Sequence, residues 1–566
     1  MPSPILLRLA LPLALTAAAA AESSSLVDAM SQEMARNFQA LKDKGDPPPY
    51  FLSYEITQED TYTVSGTLGA IDTNSGGRSR RVDVSVRVGS PKLDNYHRVR
   101  GAGGSATPQF TSGAQITYED VPNSIKSRLW QETDRAYRAA AERLIRIQTN
   151  KQVKVAEEDA SADFSNAPAQ VSLAAPVKLK FDAEEWTARI RKLSARFAKY
   201  PGVLSSAVTV AAQAETRYFV NTEGTRLAHG RGYARIVVAA SAKAADGADV
   251  AVFDSFEAED AAGLPDDKTV LASIDRVAAN VTGLLHAPET EPFVGPAILS
   301  GRAAGVFFHE IFGHRIEGHR QKNEDEGQTF TKSVGGKVLP DFLSVVFDPT
   351  RHRYAGVDLN GWYDYDDEGV KARPVTVVEN GVLKTFLMSR SPIAGFEESN
   401  GHGRRQPGYE VVSRQSNLIV ESAKAVSETR LREMLIEEIV RQKKPYGLYF
   451  RDITNGFTTT GRAGLQAFSV VPVIVYRVYA DGRPDELVRG ADVVGTPLAS
   501  FAKILATGDK PEVFNGYCGA ESGMVPVSAV SPAILVSEIE IQKKFKANDR
   551  PPLLPEPATS EKGGAQ

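Results

Sequence analysis

The run Gly305-Val306-Phe307-Phe308-His309-Glu310-Ile311-Phe312-Gly313-His314 sets two imidazoles and a carboxylate among large apolar side chains. Ala304, Phe307, Phe308 and Ile311 recur at helical spacing and Ser300 is placed to cap the N-terminus, which predicts a buried or half-buried helix. A core helix has no use for His-Glu at its centre, because burying a charge without a partner is costly. A metal ion would supply that partner. The histidines are five apart, not four as in His-Glu-x-x-His, and a regular α-helix sets residues i and i+5 about 140° apart. Both rings reach one metal only if the helix widens or ends between them, and Gly313 is where irregular backbone is expected. Gly305 and Gly313, about one turn either side of His309, predict a shallow surface open to a substrate backbone. Two histidines and a glutamate in six positions also occur as ordinary core or surface residues, so the run alone leaves both readings open.

A chain of 566 residues has room for two or more domains with large cores. Its 42 % hydrophobic and 24 % charged fractions are those of a soluble globular protein, and a net charge of −4 gives no sign of a nucleic-acid partner. From Ile5 to Ala21 the chain is apolar apart from Arg8 and Thr16, and it ends in an alanine run before Glu22. That pattern predicts a signal peptide over residues 1–21, cleaved near Ala21, and hence export to the periplasm or medium. No later stretch reaches about 18 unbroken apolar residues, so no membrane span is expected in the mature chain. Cys518 is the only cysteine, which excludes an internal disulfide and leaves a buried inert thiol, an intermolecular bridge or a metal ligand.

The expected fold class is α+β in two domains. The N-terminal domain, 22–290, is a mixed sheet with helices. A stripe of Leu26, Met30, Met34, Phe38 and Leu41 predicts a helix ending near Gly45, and Val82, Val84, Val86 and Val88 alternate as in a half-buried strand. Residues 101–115 read as a surface loop, 124–147 as a helix and 150–178 as a linker. A third helix starts at Asp182 with Glu185 in capping-box position. Asp246-Gly247 marks a hairpin and 269–285 a closing helix, while His229 and His286 read as structural or solvent-facing. The C-terminal domain, 291–547, is largely antiparallel β and carries the His-Glu helix. Glu379-Asn380-Gly381 is a strong turn signal within it. Residues 548–566, rich in Pro, Glu, Gly and Ser, predict a disordered tail.

Several separated pieces then occur in one order: His309-Glu310-Ile311-Phe312-Gly313-His314 with Glu317-Gly318; Tyr365-Asp366-Asp367-Glu368-Gly369 with Glu379-Asn380-Gly381-Val382-Leu383; Gly401-His402-Gly403-Arg404-Arg405 with Ser416-Asn417-Leu418; Thr460-Gly461 with Arg489-Gly490; and Tyr517-Cys518-Gly519 with Val525-Pro526-Val527 and Ser531-Pro532. In these the chain resembles the TldD/PmbA metallopeptidases, whose signature is HExxxH. The resemblance implies Zn²⁺ held by His309, His314 and Cys518, as in the metal-bearing, TldD-like subunit. It also implies a two-domain α+β fold and dimers enclosing a peptide cleft, either with itself or with a paralogous subunit. Two features depart from the family: this chain carries an export signal, and His319 stands where an acidic residue is expected.

Three protein ligands and an open fourth position suit catalytic zinc, with Glu310 as general base in hydrolysis of unfolded or extended peptides. The peptide would bind by strand addition at an exposed edge near the site. His319 as a fourth ligand would close the site and make the zinc structural. His402 and Arg404 would contact a substrate carboxylate or carbonyl, or be loop residues bonded locally. The acidic run Asp364 to Glu368 would be a calcium site or a solvated turn. The rival functions are a non-catalytic peptide-binding or assembly partner with structural zinc, and a thiol enzyme using Cys518 with a histidine.

Overall fold

The structure is a computed structural model that describes residues 5–98, 109–151, 159–461, 468–495 and 500–543. It is of the expected α+β class. The N-terminal part is built on one eight-stranded sheet whose long strands Pro49–Thr67, Ala70–Ser90, Ser205–Asn221 and Arg226–Lys243 pair antiparallel in the order second, first, third, fourth. Two groups of helices cover it. Ile5–Lys44 and Pro122–Lys151 pack on one cluster, where Leu26, Met30 and Met34 meet Val82, Val84, Val86 and Val88, all buried. Ala183–Ser194 and Asp267–His286 pack on another, where Trp186, Ile190 and Leu193 meet Val208, Val210, Ile236 and Val238. Asp182 caps its helix as expected, accepting from the amides of Glu184 and Glu185.

The segment read as a linker is partly structure. Val171–Leu173 joins the sheet parallel to Arg226–Lys243. Phe164 is buried with the guanidinium groups of Arg87 and Arg390 over its ring, at 3.8 and 4.0 Å. A polar, alanine-rich stretch gives no periodic signal for a ring held by two cations. Likewise Phe110 and Thr111, expected in a surface loop, are buried. Residues 101–108 of that loop, 152–158 of the linker and the 548–566 tail lie outside the described residues.

Among the described residues the C-terminal part holds two two-stranded sheets and two large ones. One has six strands and ends on Glu512–Ala520. In the other, Phe293–Leu299 pairs with both Gly447–Thr458 and Ile534–Lys543, so the sheet closes on itself as a small barrel. Between them runs the helix Gly301–Ile311. Ser300 Oγ accepts from the amide of Ala303, and Ala304, Phe307, Phe308 and Ile311 are all buried. At Glu379-Asn380-Gly381, both Asn380 and Gly381 have positive φ (48° and 80°), the geometry of a tight hairpin turn.

The two parts meet across buried ion pairs. Glu55 of the N-terminal sheet binds Arg405 at 2.6 Å and Arg217 at 3.1 Å, and Arg217 also pairs with Asp367. The acidic run 364–368 is thereby absorbed into structure. Asp366 accepts from the amides of Glu368, Val370 and Gly403, and Glu368 from that of Arg390. Asp366, Asp367 and Glu368 are thus engaged within the protein, while Asp364 at the start of the run is exposed. The Gly301–Ile311 helix is anchored differently: Phe307, Phe308 and Phe312 pack around the buried ring of Phe501 at centroid distances of 5.7, 5.6 and 6.0 Å. Phe501→Ala is expected to cost about 3–5 kcal/mol, read as a lowered midpoint in denaturant unfolding; an unchanged midpoint would show that this cluster does not hold the helix.

Candidate metal centre

The helix ends between the two histidines. Regular helix stops at Ile311, and Gly313–Arg315 forms a single 3₁₀ turn. This sharper winding carries His314 round to the side of His309, so that the rings lie 5.2 Å apart and nearly perpendicular. Gly313 is required for space more than for backbone freedom. A Cβ there would stand 1.9 Å from the Gln415 amide oxygen, and Gln415 in turn donates to the His309 carbonyl at 3.2 Å. Gly305 lies against Ala529, whose carbonyl oxygen is 3.0 Å from a Cβ placed at 305. The space beside the two glycines is therefore filled by Gln415 and Ala529, and His309 is open only on the side lined by Val306, Glu310 and Cys518.

The third member comes from far along the chain. Cys518, on the outer strand of the six-stranded sheet, sets its Sγ 3.2 Å from His314 Nε2, and one donor atom from each of His309, His314 and Cys518 lies within 4.8 Å of the others. All three are buried. Burial opposes charge on each, but they relieve one another. The imidazoles of His314 and His309 and the guanidinium of Arg414 hold the Cys518 thiol well below its ordinary range. Against its own burial, His314 is held well above its usual value by the Cys518 thiolate and Glu317. Glu317, wholly buried, approaches His314 Nδ1 at 3.3 Å and receives Arg320 Nε at 2.8 Å. In spite of burial, His314 and Arg320 bring its carboxyl down to about 2. Its contact with Nδ1 leaves Nε2 turned toward the sulfur, as a metal-ligating imidazole is commonly fixed.

This donor set fits zinc. Bonds of about 2.0–2.3 Å in a tetrahedron put donors about 3.5 Å apart, and a buried thiolate flanked by two imidazoles is a zinc donor set. Glu310, one residue from His309, points into the same space, with its carboxylate 4.0 Å from His314 Nε2.

The other candidates fall elsewhere. His319 turns away to Glu521, which Arg320 also binds at 2.9 Å, so it does not join the three donors. His402 is wholly buried between Asn400 and Ser416, and burial lowers it to about 3. Arg404 donates to the carbonyls of Gln415 and Pro526. His402 is bonded locally, whereas Arg404, on the short strand Gly403–Arg404, ties that strand to the distant Pro526. Arg414, Gln415 and Glu317 support the centre, yet only Glu317 carried a sequence signal, lying three residues after His314 and so within reach of its ring.

The centre opens on a cleft of ≈ 780 Å³. Its walls are the Val306–Glu310 face of the helix, the strand Phe514–Ala520 and the segment Thr458–Gly461. Arg235, Val237 and Phe253 of the N-terminal sheet close it from above. Glu512–Ala520 pairs on one side with Gly523–Ser531 and on the other with no strand among the described residues. The metal-free protein is expected to show thiolate absorbance at neutral pH that disappears on acidification, since the Cys518 titration lies below its ordinary range. His314→Ala should move that titration upward; a thiol titrating in its ordinary range before the substitution would refute the arrangement.

The C-terminal part of the chain is similar to known proteins. Residues 294–543 match the family described as the PmbA/TldA metallopeptidase C-terminal domain. A metalloprotease of Methanocaldococcus jannaschii is 29 % identical over 231 residues, which are 41 % of this chain and 47 % of that protein. A zinc metalloprotease TldD homologue of Saccharolobus solfataricus is 25 % identical over 248 residues, 44 % of this chain and 51 % of that one. The chain thus spans about half the length of these relatives. The solved structure of TldE from Thermococcus kodakarensis, 15 % identical, superposes with a TM-score of 0.59 over 89 % of this chain and all of that one, and shows the shared fold. The likeness to the PmbA/TldD metallopeptidases thus lies in residues 294–543, the part of the chain that carries the three donors.

Proposed function

We propose that this protein is a zinc-dependent peptidase acting on extended or unfolded peptides. The observation that carries the reading is the convergence of His309, His314 and Cys518 beside Glu310 at the floor of the cleft. Zinc, when bound there, would supply Lewis acidity toward a scissile carbonyl and a water of lowered pKa. Glu310 is left free of the donor set and takes the role of general base, accepting a proton and returning it to the leaving amine. The unpaired edge of Glu512–Ala520 runs past the donors. A peptide pairing with it would be held by backbone hydrogen bonds, a mode that requires an extended chain. A dimer, with itself or with a paralogous subunit, would wall the cleft further.

Glu310→Gln is expected to keep stoichiometric zinc and lose about 10²–10⁴-fold in kcat on unfolded casein. Wild-type turnover in that variant would refute the role. Cleavage of one sequence should also be far faster in an unfolded than in a folded carrier, and equal rates would count against strand addition.

The proposal of export rests on the apolar run ending at Ala21. No helix among the described residues is long and apolar enough to cross a membrane. Expression of the full chain should yield an exported product whose N-terminus lies near Glu22; a product that stays in the cytoplasm and retains Met1 would overturn this.

A further inference from the structure

Arg315 follows a proposed zinc donor directly, yet it faces away from the donors and is only 2 % exposed. Its Nη1 donates to the carbonyl oxygens of Glu310 and Ile311, both at 3.2 Å, and to Thr458 Oγ1 at 2.7 Å; its Nη2 donates to the Thr459 carbonyl at 3.2 Å. The first two acceptors are carbonyls left over where the helix ends. The last two belong to the opposite wall of the cleft. One planar guanidinium therefore ties the end of the Gly301–Ile311 helix to the end of the Gly447–Thr458 strand. A lysine ammonium, a single point with no fork, cannot span the two sets in the same way.

A second contact joins the same two elements. Gly456, two residues before Thr458 and so on the same strand face, is pressed against Glu310: a Cβ at 456 would stand 2.3 Å from Glu310 Cγ. The Glu310 side chain thus rests on Gly456 while its own carbonyl is bound by Arg315. The strand is fastened to the helix on both sides of the residue read as the general base. We infer that Arg315 is a positioning residue, setting the distance between helix and strand that aims the Glu310 carboxylate. This deepens the peptidase reading and rests on the role given there to Glu310. Arg315 touches neither the donors nor the space for substrate, so its removal should change alignment and leave zinc binding intact.

The test compares Arg315→Met, Arg315→Lys, Thr458→Val and the Met/Val double variant with wild type. Three readouts are taken: zinc content, kcat and KM on unfolded casein, and amide exchange over residues 456–461 in metal-free protein. Arg315→Met should keep its zinc, lose about ten- to a hundredfold in kcat with little change in KM, and exchange faster over that segment. Thr458→Val should do the same more weakly, and the double variant should be no worse than Arg315→Met alone, because the two share one interaction. Lysine should restore only part of kcat, and low-millimolar guanidinium should partly rescue Arg315→Met, which a collapsed fold would not allow. Wild-type kcat and exchange in both single variants would overturn the inference, as would loss of zinc in step with activity. If Arg315→Met does not fold, Thr458→Val decides alone by the same criteria. Full turnover by Glu310→Gln would instead overturn the general-base reading, and would leave the exchange result for Arg315 standing.

Discussion

A thiolate buried against two imidazoles is the constraint on which the C-terminal half is built. None of the three groups is stable in that position by itself, since each loses its hydration and gains only what its neighbours return. Cys518 needs positive charge nearby, and His314 needs a partner for each ring nitrogen. Glu317 satisfies Nδ1, but is itself a buried anion that requires Arg320 and, at 3.5 Å, Arg414. Arg414 reaches back to the Cys518 carbonyl at 2.6 Å. The network is therefore a closed loop of obligations, in which removing any member leaves another uncompensated.

That loop explains the unusual packing around the helix. Its two histidines face one point only because the α-helix stops and a 3₁₀ turn intervenes. The turn can lie where it does because Gly313 yields its side-chain volume to Gln415, which holds the His309 carbonyl. The apolar face of the same helix is clamped by Phe501, and its end is fastened to the cleft wall through Arg315. Ion pairs across the two halves of the molecule then fix the N-terminal sheet over the cleft, so that the site is enclosed by elements hundreds of residues apart in sequence.

Much of this was legible in the chain. Periodicity and capping residues determined the Leu26–Leu41 helical stripe, the helices near Ser124, Asp182 and Ser300 and the valine-rich strands, because these signals are local. The His309, Glu310 and His314 triplet, the five-residue spacing and the need for a break at Gly313 were equally local. Cys518 was placed with the histidines by resemblance alone; no spacing argument could do so across about 200 residues. What tertiary structure decided is which polar groups share a buried volume. By sequence His319 is only an alternative fourth donor, and Glu521, brought in by a hairpin, takes its ring. Gly305 and Gly313 looked like open surface, yet Ala529 and Gln415 from elsewhere in the chain fill the space beside them. Arg315, Arg414 and Gln415 carry no signature, since a buried arginine and a surface arginine are spelled alike. Sequence set the chemistry available along each segment. Only the meeting of distant segments, which trades hydration for mutual contact, selected the groups that form the site.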